Sequence, residues 1–497
     1  MFKLICHSFL LILFVAGWLS STIGQKSLKL PKQKNVEPKN VIFILSDDHR
    51  YDFMGFTGKV PWLKTPNMDK MAAEGAHCPN TFVTTSLCSP SRASILTGLF
   101  SHAHTIVDNS APDPGNLIYF PQYLQKSGYQ TAFIGKWHMG DKNSNPRPGF
   151  DHWVSFKGQG LYYNPLFNIN GQEKQYTDSA YTSDLLTDHT LEFLDKRDQK
   201  KPFFVYLSHK AVHAGFQAAK RHKGQYADDP LIFPPTYYQT QSSDYIKGDW
   251  PEWVKKQRYS WHGVDYMYHG AQDFDSFFRA YCETLSGVDE SIGRVLDYLE
   301  KEGLDDNTVV FYMGDNGFSF GEHGLIDKRH FYEESAKVPF LVRAPGIIPK
   351  GITVSQMIQN IDVAPTILEL AGLESPMHFH GQSAMPILQE KQTNWRDRIF
   401  YEYYWEIYYP QTPTMHGVRT DRYKYIMYHG LWDKNELYDL QEDPNEMVNL
   451  IKSPEHQEMI LALRNEIYDW LEETGGMQIP LKRTIGKKRD YLNKGNY

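Results

Sequence analysis

Four short apolar segments recur along the chain without alternation between polar and apolar positions. They are rich in β-branched and aromatic residues and span residues 41–45, 131–134, 203–207 and 308–312. Such runs indicate strands that are buried on both faces. Segments with apolar residues at helical spacings of three and four lie between them, at residues 65–74, 179–194 and 278–299. This alternation predicts an α/β fold in which helices flank a mostly parallel central sheet.

Two further regions depart from this pattern. Residues 214–275 lack periodicity and are crowded with tyrosine and tryptophan, and such a long irregular stretch is more often a functional lid than a connector. Farther along, the pattern changes to short strands and one helix, at residues 417–419, 423–427, 436–439 and 454–472. We interpret residues 396–497 as a smaller C-terminal α+β domain with a basic, solvated tail from residue 482.

The beginning of the chain has the layout of an export signal. Lys3 precedes an apolar stretch that runs to Leu19, and the small residue Gly24 ends a candidate cleavage site. No later segment has the ~18 apolar residues needed to span a bilayer. We therefore expect residues 1–24 to be removed, which leaves a secreted or periplasmic protein whose catalytic α/β domain covers residues 25–395.

The composition suits a large folded core, because 41% of the 497 residues are hydrophobic. The formal net charge of −7 argues against nucleic acid as a partner, since nucleic-acid-binding surfaces are strongly basic. Any anion that this chain binds must therefore meet a local cluster of positive side chains.

Polar side chains follow each of the four predicted strands directly. They are Asp47-Asp48, Lys136-Trp137-His138, His209 to His213, and Asp315-Asn316-Gly317. Ligands of open α/β sheets bind beyond the carboxyl ends of the strands, so these residues are expected to line one site. The carboxylates and the amide among them offer hard oxygen ligands, which suit Ca²⁺ or Mg²⁺ rather than zinc.

The most informative string runs from Cys88 to Gly98 and reads CSPSRASILTG. Pro90 is tolerated in a first helical turn, so Cys88 is expected at a helix N-terminus, where backbone N–H groups favour anions. Arg92 lies four residues later and hence on the same helical face. A cysteine in this position can also be a small buried hydrophobe or half of a disulfide.

This string resembles the signature of the formylglycine-dependent type I sulfatases of the alkaline phosphatase superfamily. In that family the cysteine is oxidised to an aldehyde whose hydrate is the nucleophile. The resemblance covers nearly the whole mature chain, because further motifs are similar to those of the family: Asn40 to Asp48, Gly135 to Gly140, Ala211 to His213, Asp315 to Gly317, Gly321 to Gly324 with Lys328, and Glu436 to Pro444. The stretches 83–88 and 101–104 look most like glucosamine 6-sulfatases.

The resemblance implies a role for each site residue. It implies one Ca²⁺ held by Asp47, Asp48, Asp315, Asn316 and the modified Cys88, although the ligand types alone also permit Mg²⁺. The catalytic residues that it implies are Cys88, Arg92, Lys136, His138, His213 and Lys328. In this mechanism Arg92 and Lys136 stabilise the sulfuryl oxygens, and His213 with Lys328 protonates the departing alcohol. His138 takes a proton from the hydrate so that sulfate is expelled. His209 is an alternative to His213 as the proton donor.

These features predict a sulfatase that acts on a sulfated glycan, of glycosaminoglycan, mucin or algal type such as ulvan or carrageenan. A formylglycine-generating maturation enzyme would be its partner. Two alternatives stay open: a phosphoester or phosphonate hydrolase of the same superfamily, and a non-catalytic glycan-binding protein with an unmodified Cys88. Aromatic residues either stack on sugar rings or pack in the core; the densest group is Tyr401, Tyr403, Tyr404, Trp405, Tyr408 and Tyr409.

Three cysteines remain once the predicted signal is removed. Assigning Cys88 to chemistry leaves Cys78 and Cys282, either free or joined in a disulfide, and neither is expected to be catalytic.

Overall fold

The computed structural model describes residues 28–34, 36–140, 143–391, 394–430 and 433–480. The predicted export signal and the basic tail from residue 482 lie outside these ranges and stay predictions. Within them, no helix combines the length and the apolar character needed to cross a membrane.

The core of the molecule is a ten-stranded sheet whose five central strands are parallel. Across the sheet these five are Thr308–Gly314, Asn40–Ser46, Phe203–Ser208, Gln130–Lys136 and His152–Phe156. One edge continues with Phe340–Arg343, Ala76–His77 and Ile352–Thr353, and the other with Leu166–Ile169 and Gln172–Gln175. Four of the central strands are those expected from their apolar runs, which confirms the predicted fold class.

Side chains that alternate along the central strands build two separate cores. Ile42 and Ile44 face one core, while Val41, Phe43 and Leu45 face the other. The helices over the first core are Pro66–Glu74, Thr182–Lys196 and Phe274–Lys301. Those over the second core are Cys88–Thr97, Pro121–Lys126, Val363–Leu370 and Met385–Leu388. Helices therefore cover both faces, which is why the strands read as continuous apolar runs.

The two cysteines outside the predicted site lie in different cores. Cys282 belongs to the first core and Cys78 to the second, on opposite faces of the sheet, and both are free and buried. The open choice between a disulfide and two free thiols is thus decided in favour of free thiols.

A second, antiparallel sheet lies near the C-terminus. Its four strands follow one another in sequence, at Arg398–Tyr403, Thr414–Thr420, Tyr423–His429 and Glu436–Asp439. The helix Gln457–Thr474 packs against its two middle strands and buries Ile467 and Trp470. Three of the strands and the helix were predicted, whereas Arg398–Tyr403 was not. The proposed domain boundary at residue 396 stays a prediction.

The aromatic segment 214–275 forms no strand, in line with its lack of periodicity. It contains short helices at Ser243–Lys247, Glu252–Gln257 and Val264–Tyr266, and a π-helical turn at Met267–Ala271. Most of its large aromatic side chains pack inward; Tyr237, Tyr245, Trp250 and Trp253 are buried.

Candidate active site

The polar residues that follow two adjacent parallel strands meet at the carboxyl edge of the central sheet. Ser46 pairs with Gly314 at the last position of these strands, so Asp47-Asp48 and Asp315-Asn316 leave the sheet side by side. The backbone N–H of Asp48 donates to Asp315 Oδ1 over 3.0 Å, and the Asn316 amide donates to Asp48 Oδ1 over 2.8 Å. Strand ends thus fix the four oxygen-bearing side chains in one buried cluster.

Cys88 is the first residue of the helix Cys88–Thr97, as expected from the position of Pro90. Its Sγ lies 3.3 Å from Asp47 Oδ1 and 3.9 Å from Asp48 Oδ1, and its side chain has no exposed surface. Burial raises the pKa of the Cys88 thiol well above its ordinary value, and Asp47 adds to this effect. An unmodified thiol in this position is therefore neutral and a weak nucleophile.

Arg92 follows one helical turn after Cys88 and crosses the base of the cluster. Its Nε donates to Asp315 Oδ2 over 2.8 Å, and its Nη1 donates to the Lys136 carbonyl and to Ser208 Oγ, each over 2.7 Å. Its Nη2 is buried without a hydrogen-bond partner among the described residues and lies 3.4 Å from Asp47 Oδ2. Arg92 is thereby held rigidly, with one N–H edge directed toward the cluster.

Two lysines complete the positive side of the site. Lys136 ends its strand and contacts both Asp47 and Gln159. Lys328 contacts Asp48 and lies 3.5 Å from Asp327 Oδ1. The structure therefore brings both predicted lysines onto the two aspartates that follow the first strand.

The histidines divide into two that face the cluster and one that does not. A ring nitrogen of His213 lies within 4.8 Å of ligand atoms of Asp47 and Cys88, and the Tyr162 hydroxyl donates to the His213 carbonyl over 2.6 Å. His138 is held through its carbonyl, which accepts from Ser89 Oγ over 2.6 Å. His209 instead contacts Ser291 on the covering helix, over 3.1 Å. This geometry favours His213 over His209 as the residue at the site.

The electrostatics of the site are dominated by burial. Burial raises the pKa of Asp48 to about 8, although Lys328 opposes this, and the neighbouring carboxylates of Asp47 and Asp315 add to the rise. Burial lowers the pKa of His138 and of His213 well below the ordinary value, and Lys136 lowers both further. Burial and Lys136 therefore disfavour a proton on either imidazole as long as no anion occupies the site.

The donor set fits a hard divalent cation. Asp47, Asp48, Asp315 and Cys88 each offer a ligand atom, and these atoms lie within 4.8 Å of one another. Asp48 Oδ2 and Asn316 Oδ1 are buried without a hydrogen-bond partner in the described part of the chain. Buried oxygens of this kind are costly unless something binds them. Carboxylate and amide oxygens would hold Ca²⁺ or Mg²⁺ well.

A cation would also change the sign of the charge in the site. The three buried aspartates face three buried cationic groups, of Arg92, Lys136 and Lys328. When all three carboxylates are ionised, as a bound cation would favour, these charges balance one another, so the lysines and the arginine do not by themselves make the pocket positive. A divalent cation would give the net positive charge that an acidic protein needs in order to attract an anion.

The C-terminal sheet helps to frame the site, a contribution that was not predicted. The Tyr401 hydroxyl accepts from the backbone N–H of Ser86 over 3.2 Å and donates to the His330 carbonyl over 3.1 Å. The Glu402 N–H also donates to the Thr84 carbonyl over 2.9 Å. These bonds connect the loop before Cys88 to the loop after Lys328.

Gln159 contacts Lys136, Ser208 contacts Arg92, and Tyr401 bonds to the loops that carry Cys88 and Lys328; none of these contacts was predicted. Ser208 ends a central strand, so its position was a usable signal. Gln159 and Tyr401 reach the site only through tertiary packing, and no local pattern marks them. Tyr401, Tyr403 and Tyr404 were among the candidates for sugar stacking, but they are buried in the core.

Comparison with known proteins identifies two matching families. The family described as sulfatase matches residues 39–373, and the family described as N-sulphoglucosamine sulphohydrolase, C-terminal, matches residues 321–473. The first match spans the whole central sheet, and the second spans the C-terminal sheet and its helix.

Named relatives are similar over most of the chain. An N-acetylglucosamine-6-O-sulfatase of Bacteroides thetaiotaomicron is 34% identical over 89% of this chain and 87% of its own length. The human N-acetylglucosamine-6-sulfatase is 32% identical over 73% of this chain and 67% of its own length. A solved structure, described as a complex with its substrate D-glucosamine-2-N,6-O-disulfate, has a TM-score of 0.81 at 31% identity and covers 90% of this chain and 100% of that one.

Proposed function

This chain belongs to the sulfatase family and is a sulfuric ester hydrolase, and from that premise we propose that it removes the 6-O-sulfate of a glucosamine unit in a sulfated glycan. The observation that carries the proposal is the buried cluster that joins Cys88 to four hard-oxygen side chains, Asp47, Asp48, Asp315 and Asn316. The choice of sugar rests on the relatives named for N-acetylglucosamine 6-sulfate and on the structure that holds a disulfated glucosamine.

Residue 88 would carry the chemistry as formylglycine, with Ca²⁺ held by these four side chains and by residue 88 itself. When formed, the hydrated aldehyde supplies a hydroxyl nucleophile, and the cation supplies positive charge beside the sulfuryl oxygens. Two features of the chain support this assignment. Cys88 lies at a helix N-terminus against Asp47, and the buried atoms Asp48 Oδ2 and Asn316 Oδ1 have no hydrogen-bond partner among the described residues, so that both are available to a cation.

The remaining residues bind the sulfate and move protons. Arg92 Nη2 and Lys136 would donate to the sulfuryl oxygens, and Asp315 would assist deprotonation at residue 88. His213, beside Cys88 at the partly exposed side of the cluster, would protonate the departing alcohol together with Lys328. His138 would accept the proton of the second hydroxyl of residue 88, so that this oxygen forms the aldehyde again and the bond between the residue 88 carbon and the sulfate oxygen breaks.

Maturation and export belong to the same proposal. Formylglycine at residue 88 requires a formylglycine-generating enzyme as a partner. The apolar segment ending near Leu19 supports export to the periplasm or to the outside of the cell.

Two other functions make different demands on the site. A phosphoester or phosphonate hydrolase with two metal ions would need further Asp and His ligands, whereas this cluster has one hard-oxygen set. A non-catalytic binding protein would need no proton donor at the leaving group, yet His213 and Lys328 both face the cluster. We therefore favour the sulfatase.

Two measurements on the natively produced protein test the proposal together. Mass spectrometry of the peptide across residue 88 should show the aldehyde, and elemental analysis should show about one Ca²⁺ and no stoichiometric zinc per chain. Sulfate release should be faster from 6-O-sulfated N-acetylglucosamine than from a 2-O-sulfated sugar or a phosphonate monoester. An unmodified Cys88 in active protein, or two zinc ions per chain, would contradict the proposed chemistry.

A further inference from the structure

The aromatic side chains of the segment 214–275 differ in burial, and four of them are exposed, namely Tyr238, Tyr259, Trp261 and Tyr266. Trp261 is 57% exposed, and it packs only loosely with Tyr266, at a ring distance of 5.4 Å. A second exposed aromatic residue, Tyr408, is 58% exposed on the loop between the first two strands of the C-terminal sheet. These two residues lie about 150 positions apart in sequence, yet the structure anchors both next to Lys328.

The first anchor joins Trp261 to the residue before Lys328. His262, the neighbour of Trp261, accepts at its carbonyl from the Ile326 N–H over 2.7 Å. The same histidine places Nδ1 3.0 Å from Asp327 Oδ2. The backbone of Trp261 is therefore fixed beside the segment that delivers Lys328 to the cluster.

The second anchor joins Tyr408 to the residue after Lys328. Arg329 Nε donates to Glu406 Oε1 over 3.0 Å, and the Arg329 guanidinium lies 3.6 Å from the centre of the Tyr409 ring. The His262 ring packs edge-on against Tyr409 at 4.6 Å, which connects the two anchors. Trp261 and Tyr408 each lie one residue from this packed pair, on either side of Lys328.

We propose that Trp261 and Tyr408, which together we call the aromatic rim, bind sugar rings of the glycan that carries the sulfate. The inference rests on the proposed function, in which Lys328 lies on the side of the departing alcohol. That alcohol belongs to the sugar, so the sugar chain must run past the residues on either side of Lys328. The two anchors hold the backbone of the rim beside those residues.

The chemistry of the rim suits a saccharide. A sugar ring presents an apolar face of C–H groups, which packs against tyrosine and tryptophan rings, while its hydroxyls need polar partners. The charged groups beneath the rim are already paired, Arg329 with Glu406 and with Asp327. The rim therefore contributes contact with the ring faces, and recognition of the sulfate stays with the buried cluster.

Substrates with and without a sugar test the rim. Trp261→Ala and Tyr408→Ala should each raise KM about 3- to 10-fold for a tetrasaccharide with a 6-O-sulfated glucosamine at its non-reducing end. On nitrophenyl sulfate, which has no sugar, kcat/KM should change by less than about twofold. The control is Tyr238→Ala, because Tyr238 is an equally exposed aromatic of the same segment, at 67%, that packs on Phe233 instead.

Each outcome bears on the rim directly. Equal losses on both substrates would overturn the proposal, because they would mean that the variants distort the buried cluster. No loss on the tetrasaccharide would overturn it as well. If the wild-type protein releases no sulfate from the tetrasaccharide, the proposed function fails. Calorimetry then tests the rim separately: in a Cys88→Ala background, Trp261→Ala should still weaken binding of the tetrasaccharide. Unchanged affinity would overturn the proposal for the rim.

Discussion

Two buried clusters of charged side chains in this molecule have similar composition, but they differ in whether their polar atoms find partners within the protein. In the active site, Asp48 Oδ2, Asn316 Oδ1 and Arg92 Nη2 are buried without hydrogen-bond partners among the described residues. The other cluster, which we call the joint, lies between the helix Glu333–Ala336 and the C-terminal sheet. It consists of Glu333, Arg419, Lys424 and Glu446.

The charges of the joint are matched within the protein. Lys424 lies 2.8 Å from Glu333, 2.7 Å from Glu446 and 2.8 Å from the Phe331 carbonyl. Arg419 contacts both Glu333 oxygens, over 3.0 and 3.2 Å. A buried charge is tolerated when such partners surround it. Glu446 Oε1 has no well-directed hydrogen bond, but it lies 2.7 Å from the Lys424 ammonium, so every charged group of the joint has an opposite charge close by. Asp48 Oδ2 and Asn316 Oδ1 have no such partner among the described residues, which leaves these oxygens for the proposed cation.

The largest expected effect is a loss of turnover without a loss of stability when residue 88 is substituted. Cys88→Ala should lower kcat by at least about 10⁴-fold, because it removes the proposed nucleophile. Its melting temperature should stay within about 3 °C of wild type, since the small thiol takes no part in a matched ion pair. Sulfate release and thermal unfolding of the same preparation check this. Substantial remaining turnover would contradict the assignment of residue 88.

The next effect depends on the leaving group. A sugar alcohol leaves poorly without a proton, and general acid catalysis contributes ~10² to 10⁴ in rate. His213→Ala should therefore lose far more kcat/KM on a sulfated saccharide than on nitrophenyl sulfate, whereas Arg92→Ala should affect both substrates alike. If His213→Ala reduces both by the same factor, the histidine binds sulfate, and Lys328 becomes the better candidate for the acid.

In the joint, a substitution should lower the stability of the protein and leave its turnover nearly unchanged. Lys424→Met leaves Glu333 and Glu446 short of a buried partner, and breaking a buried pair in this way costs about 3–5 kcal/mol of unfolding free energy. The kcat of the folded fraction should stay near wild type. Lys452→Met is the matched control, because Lys452 pairs with Asp249 on the exposed surface, where such pairs contribute less than about 1 kcal/mol. Equal stability of the two variants would remove the distinction between the clusters.

The smallest expected effect is a pH dependence of protein stability, which arises from a buried ion pair under the C-terminal sheet. His102 Nδ1 lies 2.8 Å from Glu402 Oε2. Burial alone would raise the pKa of Glu402, but the neighbouring His102 lowers the pKa of this carboxyl to about 2. Burial alone would lower the pKa of His102, but Glu402 raises the pKa of this imidazole above 6.5. The Glu402 contribution is present above pH 4.5 and is lost as pH falls toward 2. The His102 contribution is present below pH 6.5 and is lost as pH rises through its raised pKa.

The pair should therefore stabilise the protein most between pH 4.5 and 6.5. The difference in melting temperature between wild type and Glu402→Gln, measured across pH, should be largest in this window and shrink on both sides. A difference that does not vary with pH would show that the pair acts as a neutral hydrogen bond.

The sequence was informative where a local pattern determines the structure. The central strands are buried on both faces, so their apolar runs were visible, and the polar residues at their ends could be assigned to one edge of the sheet. Hard-oxygen side chains at the ends of two strands also predicted a candidate cation site. The roles given to these residues stay predictions.

Other features depend on partners that are remote in sequence. The strand Arg398–Tyr403 alternates tyrosines with Glu402, a buried carboxylate that is paired with the remote residue His102. No pattern within residues 398–403 reveals that partner, so these tyrosines looked equally suited to sugar binding. The same reason explains why Gln159 was missed, because only the folded chain brings it to Lys136.

The bond from the Ser86 N–H to the Tyr401 hydroxyl joins two segments that leave the ribosome at different times. The hydroxyl closes the loop before Cys88 from a position 315 residues after Ser86, so the ribosome exposes the nascent loop long before the strand that covers it exists. In the complete fold Cys88 has no accessible surface. A maturation enzyme would have to act in this interval, and molecules that complete folding first would retain an enclosed thiol. In overexpression, the ratio of maturation enzyme to nascent chain would then determine the active fraction, and added enzyme could not recover the rest.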